Sequence, residues 1–317
     1  MAPRPAPPGS SRIARAIHRQ AAHSLISQDA PFQASRRGNS CVYAWQRSLE
    51  NPLVRNENAD RYRAPALDKG LDILELLSGV DVGLTQAEIA KRLDRSPNEF
   101  YRMLDRLVRR GYVTRVDGDR YALTLKLFGL AQLHAPVRRL VSFATPLMRD
   151  LAETTLQANQ LAVFDRGKAV VIAQQEAPGY WGISIRVGSH ISLFDTGSGH
   201  VLLAFRSADE RQMMLRENAG RGEIRDLGAE FSARLDQVRD RGYEMMASLQ
   251  TAGVFNLSAP VLAPDGRALA ALTVPYITLV NTPQAPDITR TVDLMLATAG
   301  TLSRLAGSDM RQGEEAE

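Results

Sequence analysis

Residues 85–121, TQAEIAKRLDRSPNEFYRMLDRLVRRGYVTRVDGDRY, decide how this chain is read. Ala87, Ile89, Ala90 and Leu93 recur at the i, i+3, i+4 spacing of a half-buried helix. Thr85 stands where its N-cap belongs, and Glu88, three residues on, completes a capping box. Asp94 and Arg95 make a tight connection to a second N-cap, Ser96, with Pro97 at a first helical position that tolerates a missing N–H. The second helix buries Phe100, Met103, Leu104, Leu107 and Val108. It turns Asn98, Glu99, Tyr101, Arg102, Asp105, Arg106 and Arg109 outward. Gly111 stops it as a left-handed C-cap. Tyr112–Thr114 then pair with Tyr121–Leu123 across an Asp117–Gly118 turn. Helix, short turn, helix and hairpin are the layout of a winged helix-turn-helix.

Charge points the same way. Between Lys91 and Arg115 eight Lys or Arg face three acids, a patch suited to a phosphate backbone. A merely solvated basic face is the plain alternative, and the helix–turn–helix–wing layout argues against it. Base readout needs polar groups near the N-terminal end of the second helix. There Asn98 suits adenine, Arg102 guanine and Glu99 cytosine, while Tyr101 suits a phosphate or a thymine methyl. Arg115 and Arg120 in the wing are phosphate candidates, positioning rather than specifying. Thr85, Ser96 and Arg106 complete the expected double-stranded DNA contacts.

Outward from this stretch, Ala66–Ser78 reads as a helix packing behind the reading pair, with Leu67, Leu71, Ile73, Leu74 and Leu77 inward. Residues 1–62, rich in Pro, Arg and Ser, read as a disordered basic tail. A DNA-affinity arm, a transit peptide and sequence from an early start codon compete as explanations; the abrupt onset of pattern near Arg63 favours the last, or a merely floppy tail. Thus residues 63–124 are expected to form the winged domain and 125–137 a linker helix. The apolar residues of Leu123–His134 call for a partner chain to cover them, and Pro136 breaks the helix. A helix over Arg138–Ala158, interrupted near Pro146, opens a second domain at 138–308, followed by a solvated tail at 309–317. Strands are expected near 160–175, at Ile183–Val187, and at 243–247, 254–262 and 268–275. TGSGHVLLAF reads as a small-residue loop leading into a helix, and further helices cover 209–217, 229–241 and 286–305. Strand pairs on tight turns with helices between them give an α+β fold on an antiparallel sheet.

Composition narrows the function. No apolar run approaches a membrane span. A single cysteine, Cys41, excludes internal disulfides and cysteine-clustered metal sites, and suits a reducing cytoplasm. Five scattered histidines give no metal-ligand spacing, so neither metal nor cofactor is expected. Residues 1–130 carry net charge +7 and the rest −3, which places the positive half with the DNA-binding layout. In Asp195-Thr196-Gly197-Ser198-Gly199-His200 the small residues before a helix fit either anion binding at free N–H groups or close packing. Ser198 and His200 are too close in sequence for a nucleophile–base pair, and no catalytic residue is assigned. Asn256, Ser258 and Thr273 share one face of otherwise apolar strands and need partners, internal or a small ligand.

The order ALDKGLDILELL, LTQAEIAKRL, YRMLDRLVRRGYV, DGDRYALT resembles the IclR family of bacterial transcription regulators. SIRVGSHISL, TGSGHVLLAF, RGYEM and GVFNLSAPVLAPDGRALAAL are similar to that family's effector domain, so the resemblance spans Ala66–Leu305. It implies a winged helix-turn-helix, a linker helix and a GAF-like effector domain. It also implies a homodimer or homotetramer in the bacterial cytoplasm, at the nucleoid, that represses or activates under a small carboxylate or aromatic acid. The chain departs from the family pattern at three places. Ser198-Gly199-His200 replaces Ala-x-Gly-Lys, Ser248-Leu249 stand where a pair of acids is common, and Asn256 replaces a frequent Cys. Carried over by position, the effector pocket is Gly197, Ser198, Met246, Val254, Asn256, Ser258, Thr273 and Pro275.

Overall fold

The computed structural model describes residues 64–179, 182–219 and 228–314. The tail expected at 1–62 therefore lies outside the described residues. The chain runs α1 (Pro65–Ser78), β1 (Leu84–Thr85), α2 (Gln86–Arg92), α3 (Pro97–Arg109), β2 (Val113–Val116), β3 (Arg120–Leu123) and α4 (Lys126–Leu133). Then come α5 (Ala135–Thr155), β4 (Asn159–Asp165), β5 (Lys168–Gln175), β6 (His190–Ile191) and α6 (Gly197–Ala204). It closes with α7 (Ala208–Ala219), α8 (Gly228–Arg241), β7 (Glu244–Ala247), β8 (Phe255–Leu262), β9 (Ala268–Tyr276) and α9 (Ile288–Glu314).

The winged domain is built from local signals. Thr85 Oγ1 accepts from the Glu88 N–H at 3.2 Å and the Glu88 carboxylate accepts from the Thr85 N–H at 2.8 Å, so the capping box is closed both ways. After α2, Asp94 adopts φ +50° and the Arg95 N–H reaches back to the Ala90 carbonyl at 3.0 Å. That is a Schellman-type stop, in which a short polar side chain tolerates the left-handed conformation. Gly111, at φ +72°, ends α3 in the same way, with Tyr112 N–H on the Leu107 carbonyl. The wing pairs Val113↔Leu123, Thr114↔Ala122 and Arg115↔Tyr121. Leu84–Thr85 adds a third strand against Tyr121–Arg120, a pairing with no sequence signal of its own. Ile73, Leu77, Leu84, Ile89, Phe100, Leu104, Val113 and Tyr121 make one core. Leu67 and Leu71 of α1, expected inward, are exposed on the opposite side of the helix.

The linker helix is shorter than its apolar pattern, because Leu123 closes β3 and His134 separates α4 from α5. Leu125, Phe128 and Leu133 are 82%, 63% and 71% exposed. Pro146 does not interrupt α5, which runs from Ala135 to Thr155. The carbonyl it leaves unpaired, that of Ser142 one turn earlier, lies on an exposed stretch where water can satisfy it.

Beyond α5 a six-stranded antiparallel sheet has the order β6-β5-β4-β9-β8-β7. One face packs α5 and α9 through Met148, Leu151, Leu161, Leu257, Leu272, Met295 and Leu302. The other packs α6, α7 and α8 through Ala162, Val171, Leu193, Val201, Leu202, Met214, Leu235 and Ala271. Ile183–Val187 is not a strand. The ladder beside β5 is continued by Gly188–Ile191, with Gly188 N–H on the Val171 carbonyl at 2.7 Å. The alternating isoleucines face a cleft instead. Helix α9 continues nine residues past Leu305, to Glu314, where a solvated tail was expected from 309. Gly307 does not break it, and a Cβ there would meet the Pro264 ring at an ordinary contact distance of 3.4 Å.

Candidate functional site

Two surfaces carry the chemistry. The first is the outer face of α3. Asn98, Arg102 and Arg106 are exposed on it and Tyr101 is 58% exposed. Among the described residues no acid pairs with Arg102 or Arg106. Arg109 is held by Asp105 at 2.8 Å, one turn back. Glu99 is committed elsewhere. Its carboxylate meets Lys69 Nζ at 2.8 Å and the Ser96 N–H and hydroxyl at 3.4 and 3.1 Å. The Lys69 ammonium first, and then the cap, hold its carboxyl down at about 2. Glu99 thus tethers α1 to the start of α3, and Ser96 serves as its cap partner.

The wing arginines are also engaged. Arg120 donates to the Gly83 carbonyl at 2.9 Å and to Glu88 at 3.2 and 3.4 Å. It thereby joins the wing to the capping box of α2, and Thr85 lies beside it in the ladder. Arg115 donates to the Tyr121 hydroxyl at 2.9 Å and its guanidinium lies 5.3 Å from that ring. Arg102 and Arg106, with Asn98 and Tyr101, keep side chains turned to solvent.

The second surface is a cleft on the α6 face of the sheet, with an empty volume of about 550 Å³ including its open mouth. Gly197, Ser198, Val254, Asn256, Thr273 and Pro275 line it. Sequence reasoning missed Gln160, Ile183, Ile185, Ile191, Asp195, Thr196, Ser248, Gln250 and Thr251, which line it too. Two expected residues do not reach it. Ser258 is fully buried beneath Gly197, whose added Cβ would come within 2.5 Å of the Ser258 hydroxyl. Met246 pairs with Asn256 on the edge strand β7 and shares its face of the sheet, but the lining stops at Asn256.

The helix that floors the cleft is placed by close approach. A Cβ on Gly199 would stand 2.4 Å from the Leu193 backbone, so packing alone demands both glycines of Gly197-Ser198-Gly199. Thr196 caps α6, accepting from Gly199 N–H at 3.1 Å, while the N–H groups of Gly197 and Ser198 precede any helical carbonyl that could take them. Ser198 Oγ lies 2.8 Å from Thr273 Oγ1, which lies 2.8 Å from Ser258 Oγ. His200 is not near Ser198's hydroxyl chain. Its Nδ1 meets Glu244 at 2.8 Å and its Nε2 meets the Phe194 carbonyl at 2.7 Å. Glu244, fully buried, also takes Arg234 at 2.9 and 2.8 Å and Arg241 at 3.2 Å. Burial alone would raise its carboxyl; the hydrogen bonds and charges of His200 and Arg234 outweigh that and hold it at about 2. This network, unseen in the sequence, gathers buried charge beside α6, and neither Glu244 nor His200 is part of the cleft lining. Asp195 at the rim is the one charged residue among the described residues of the lining.

Comparison with known proteins finds two matching family models. Residues 66–117 match the IclR helix-turn-helix domain, and residues 134–304 match the family described as bacterial transcriptional regulator IclR C-terminal. The HTH-type transcriptional regulator BhcR of Paracoccus denitrificans is 32% identical over 220 residues, covering 68% of this chain and 78% of that protein. KdgR of Escherichia coli, also an HTH-type transcriptional regulator, is 29% identical over 70% of this chain and 87% of its own length. Among solved structures, the Thermotoga maritima IclR superposes with a TM-score of 0.60 at 22% identity, covering 76% of this chain and 98% of its own. An IclR homolog from Microbacterium hydrocarbonoxydans, solved in complex with 4-hydroxybenzoate, gives 0.61 at 21% identity over 78% of this chain and 99% of its own.

Proposed function

This chain belongs to the IclR family of DNA-binding transcription regulators, not of enzymes, and on that premise we propose that a small acid in the α6 cleft sets how tightly its winged domain holds an operator. The observation that carries the reading is one chain with two unlike surfaces, a helix bearing unpaired cations and a built, largely neutral cleft. Arg102 and Arg106, with Asn98 and Tyr101, contact the major groove. Arg115 and Arg120 support the wing, and Thr85, Ser96 and Glu99 hold the reading helix in place.

In the cleft a carboxylate, on an aliphatic or aromatic acid, takes the free N–H groups at the start of α6, and Ile183, Ile185 and Ile191 cover its apolar part. The known complex of the M. hydrocarbonoxydans homolog with 4-hydroxybenzoate supports an aromatic acid as one such ligand. The exposed Leu125, Phe128 and Leu133 of α4, with Leu67 and Leu71, support a homodimer or a dimer of dimers, and two winged domains then read a two-fold related operator in the bacterial cytoplasm. Ligand binding to one arrangement of the subunits shifts the population and with it operator affinity.

Fluorescence polarisation against the DNA upstream of the chain's own gene, in a salt series with and without candidate acids, tests this. Tight binding that weakens steeply with salt and changes with an acid is expected. Operator affinity indifferent to every acid that binds the protein would overturn the switch.

A further inference from the structure

The cleft contains one buried polar group with nothing to bond. Gln160, at the start of β4, is 3% exposed and lines the cleft, and its carbonyl Oε1 is fully buried with no partner among the described residues. Thr273 sits directly across from it in the β4–β9 ladder. The hydroxyls of Ser198, Thr273 and Ser258, however, are bonded to one another and leave the Gln160 amide out. Three hydroxyls carry three protons and share two mutual bonds, so this chain keeps one further proton to donate. Buried amides are rarely left so, because an unmade hydrogen bond costs more than a made one returns.

We propose, resting on the effector reading above, that Gln160 selects the effector by accepting a hydrogen bond from its hydroxyl, and that the effector is a hydroxylated acid rather than an oxo or unsubstituted one. The amide needs a donor at Oε1, which an alcohol or phenol supplies and a ketone cannot. Its NH₂ end and the Ser198–Thr273 hydroxyls can meet the oxygen's lone pairs. An amino group in the same place would be charged. Among the described residues the lining offers it only Asp195, exposed at the rim and accepting from Ser192 at 2.8 Å. Among the described residues no lysine, arginine or histidine lines the cleft, so the carboxylate is left to the Gly197 and Ser198 N–H groups, and the hydroxyl is the part a side chain reads.

The test uses matched probes on the full-length chain, by calorimetry and thermal shift: lactate, pyruvate and alanine, then 4-hydroxybenzoate and benzoate. In the set whose carboxylate-to-hydroxyl span matches that from the α6 N–H groups to Gln160, the hydroxylated member is expected to bind more tightly by roughly 5- to 150-fold, the span that an unpaired buried acceptor produces. Gln160→Met, similar in length and apolar, should abolish that preference and leave the ligand-free protein at least as stable as the parent. Gln160→Glu, which keeps an acceptor, should retain it. Equal binding within the sets, a preference for alanine, or a preference surviving in Gln160→Met would overturn the role of Gln160 and leave the sensor reading standing. So would a Gln160→Met protein that is less stable without ligand, since the amide would then be structural. If no probe binds the parent chain at millimolar concentration, the cleft as an acid sensor and the Gln160 proposal fall together.

Discussion

On the winged domain Arg102 and Arg106 stand in solvent with no acidic partner among the described residues, whereas in the sheet domain Arg234 and Arg241 converge on Glu244, buried with His200. The same residue type is handled oppositely because its neighbours differ: Arg234 and Arg241, themselves partly exposed, are drawn to a carboxylate that is fully buried. A cation that is to displace counterions from a phosphate backbone must arrive unneutralised, and water keeps it soluble until then. A charge under α6 has no water to turn to and must be paired within the fold. Pairing it there leaves the neighbouring cleft almost neutral among the described residues, so the ligand proposed for it has hydrogen bonds rather than charge to be read by, whereas the proposed DNA contacts are cationic.

The largest expected effect breaks the buried half of this contrast. Glu244→Ala leaves His200 and Arg234 without their acceptor, and removing one partner of a buried ion pair costs about 3–5 kcal/mol. Arg234, partly exposed, can turn to water; His200 cannot. Urea denaturation should therefore place the variant at least ~3 kcal/mol below the parent. A loss under ~0.5 kcal/mol would mean that the cluster adds nothing to folding and that the two regions differ less than their geometry suggests.

Acid titration reads the same cluster without a change in shape. The Glu244 carboxyl is held at about 2 in the folded chain, below its ordinary range near 4.3 when unfolded. The unfolded chain therefore takes up the proton first. The stabilisation is complete above pH ~4.5 and is lost as pH falls toward 2, on the order of 3 kcal/mol in all. Urea midpoints at pH 6, 4 and 3 should fall in the parent and fall less in Glu244→Gln. Glu99 is also held at about 2, by Lys69 and the Ser96 cap, but it is exposed and common to both proteins, so it cancels. Parallel curves for the two would show that Glu244 does not carry the acid response.

How much of this was legible depends on how far apart the partners lie in the chain. The winged domain is written locally: Thr85 and Glu88 are three residues apart, and Asp117–Gly118 turns one strand onto the next. The misreading of Leu67 and Leu71 as inward came from an apolar stripe wider than the face the core covers. In the sheet domain the alternation of Asn256, Ser258 and Thr273 marked the right face. Gln160 reaches Thr273 across 113 positions through β4–β9 pairing, which no local pattern announces. Its only signal was an amide pair, Asn159-Gln160, opening an apolar strand. Ile183–Val187 alternated like a strand because two isoleucines face the cleft, a period that sheet and cleft wall share. Glu244 after Gly242-Tyr243 could have been matched to His200 only through the fold, 44 positions away.

On the winged side the larger test is Arg102→Ala. An unpaired arginine reading a base should cost about 1–3 kcal/mol in operator affinity and relax discrimination at one position, while stability moves by less than ~0.5 kcal/mol. Polarisation against the operator and its single-base variants measures the first, and denaturation the second. A uniform loss across all sequences would make Arg102 a phosphate contact rather than a reader.

Arg120→Ala gives the smallest effect and draws the line inside the winged domain itself. Its guanidinium is occupied by Glu88 and the Gly83 carbonyl, so it behaves more like the paired arginines of the sheet domain than like Arg102. Both partners are partly exposed, which limits their coupling to about 0.2–1 kcal/mol in a double-mutant cycle with Glu88→Ala. DNA affinity should weaken slightly, through a loosened wing, with the salt dependence unchanged. A salt slope reduced by about one would instead show that Arg120 leaves Glu88 for a phosphate when DNA binds. In that case the ion pair is a resting position for the arginine, and the α2 capping box is where DNA binding is felt by the rest of the wing.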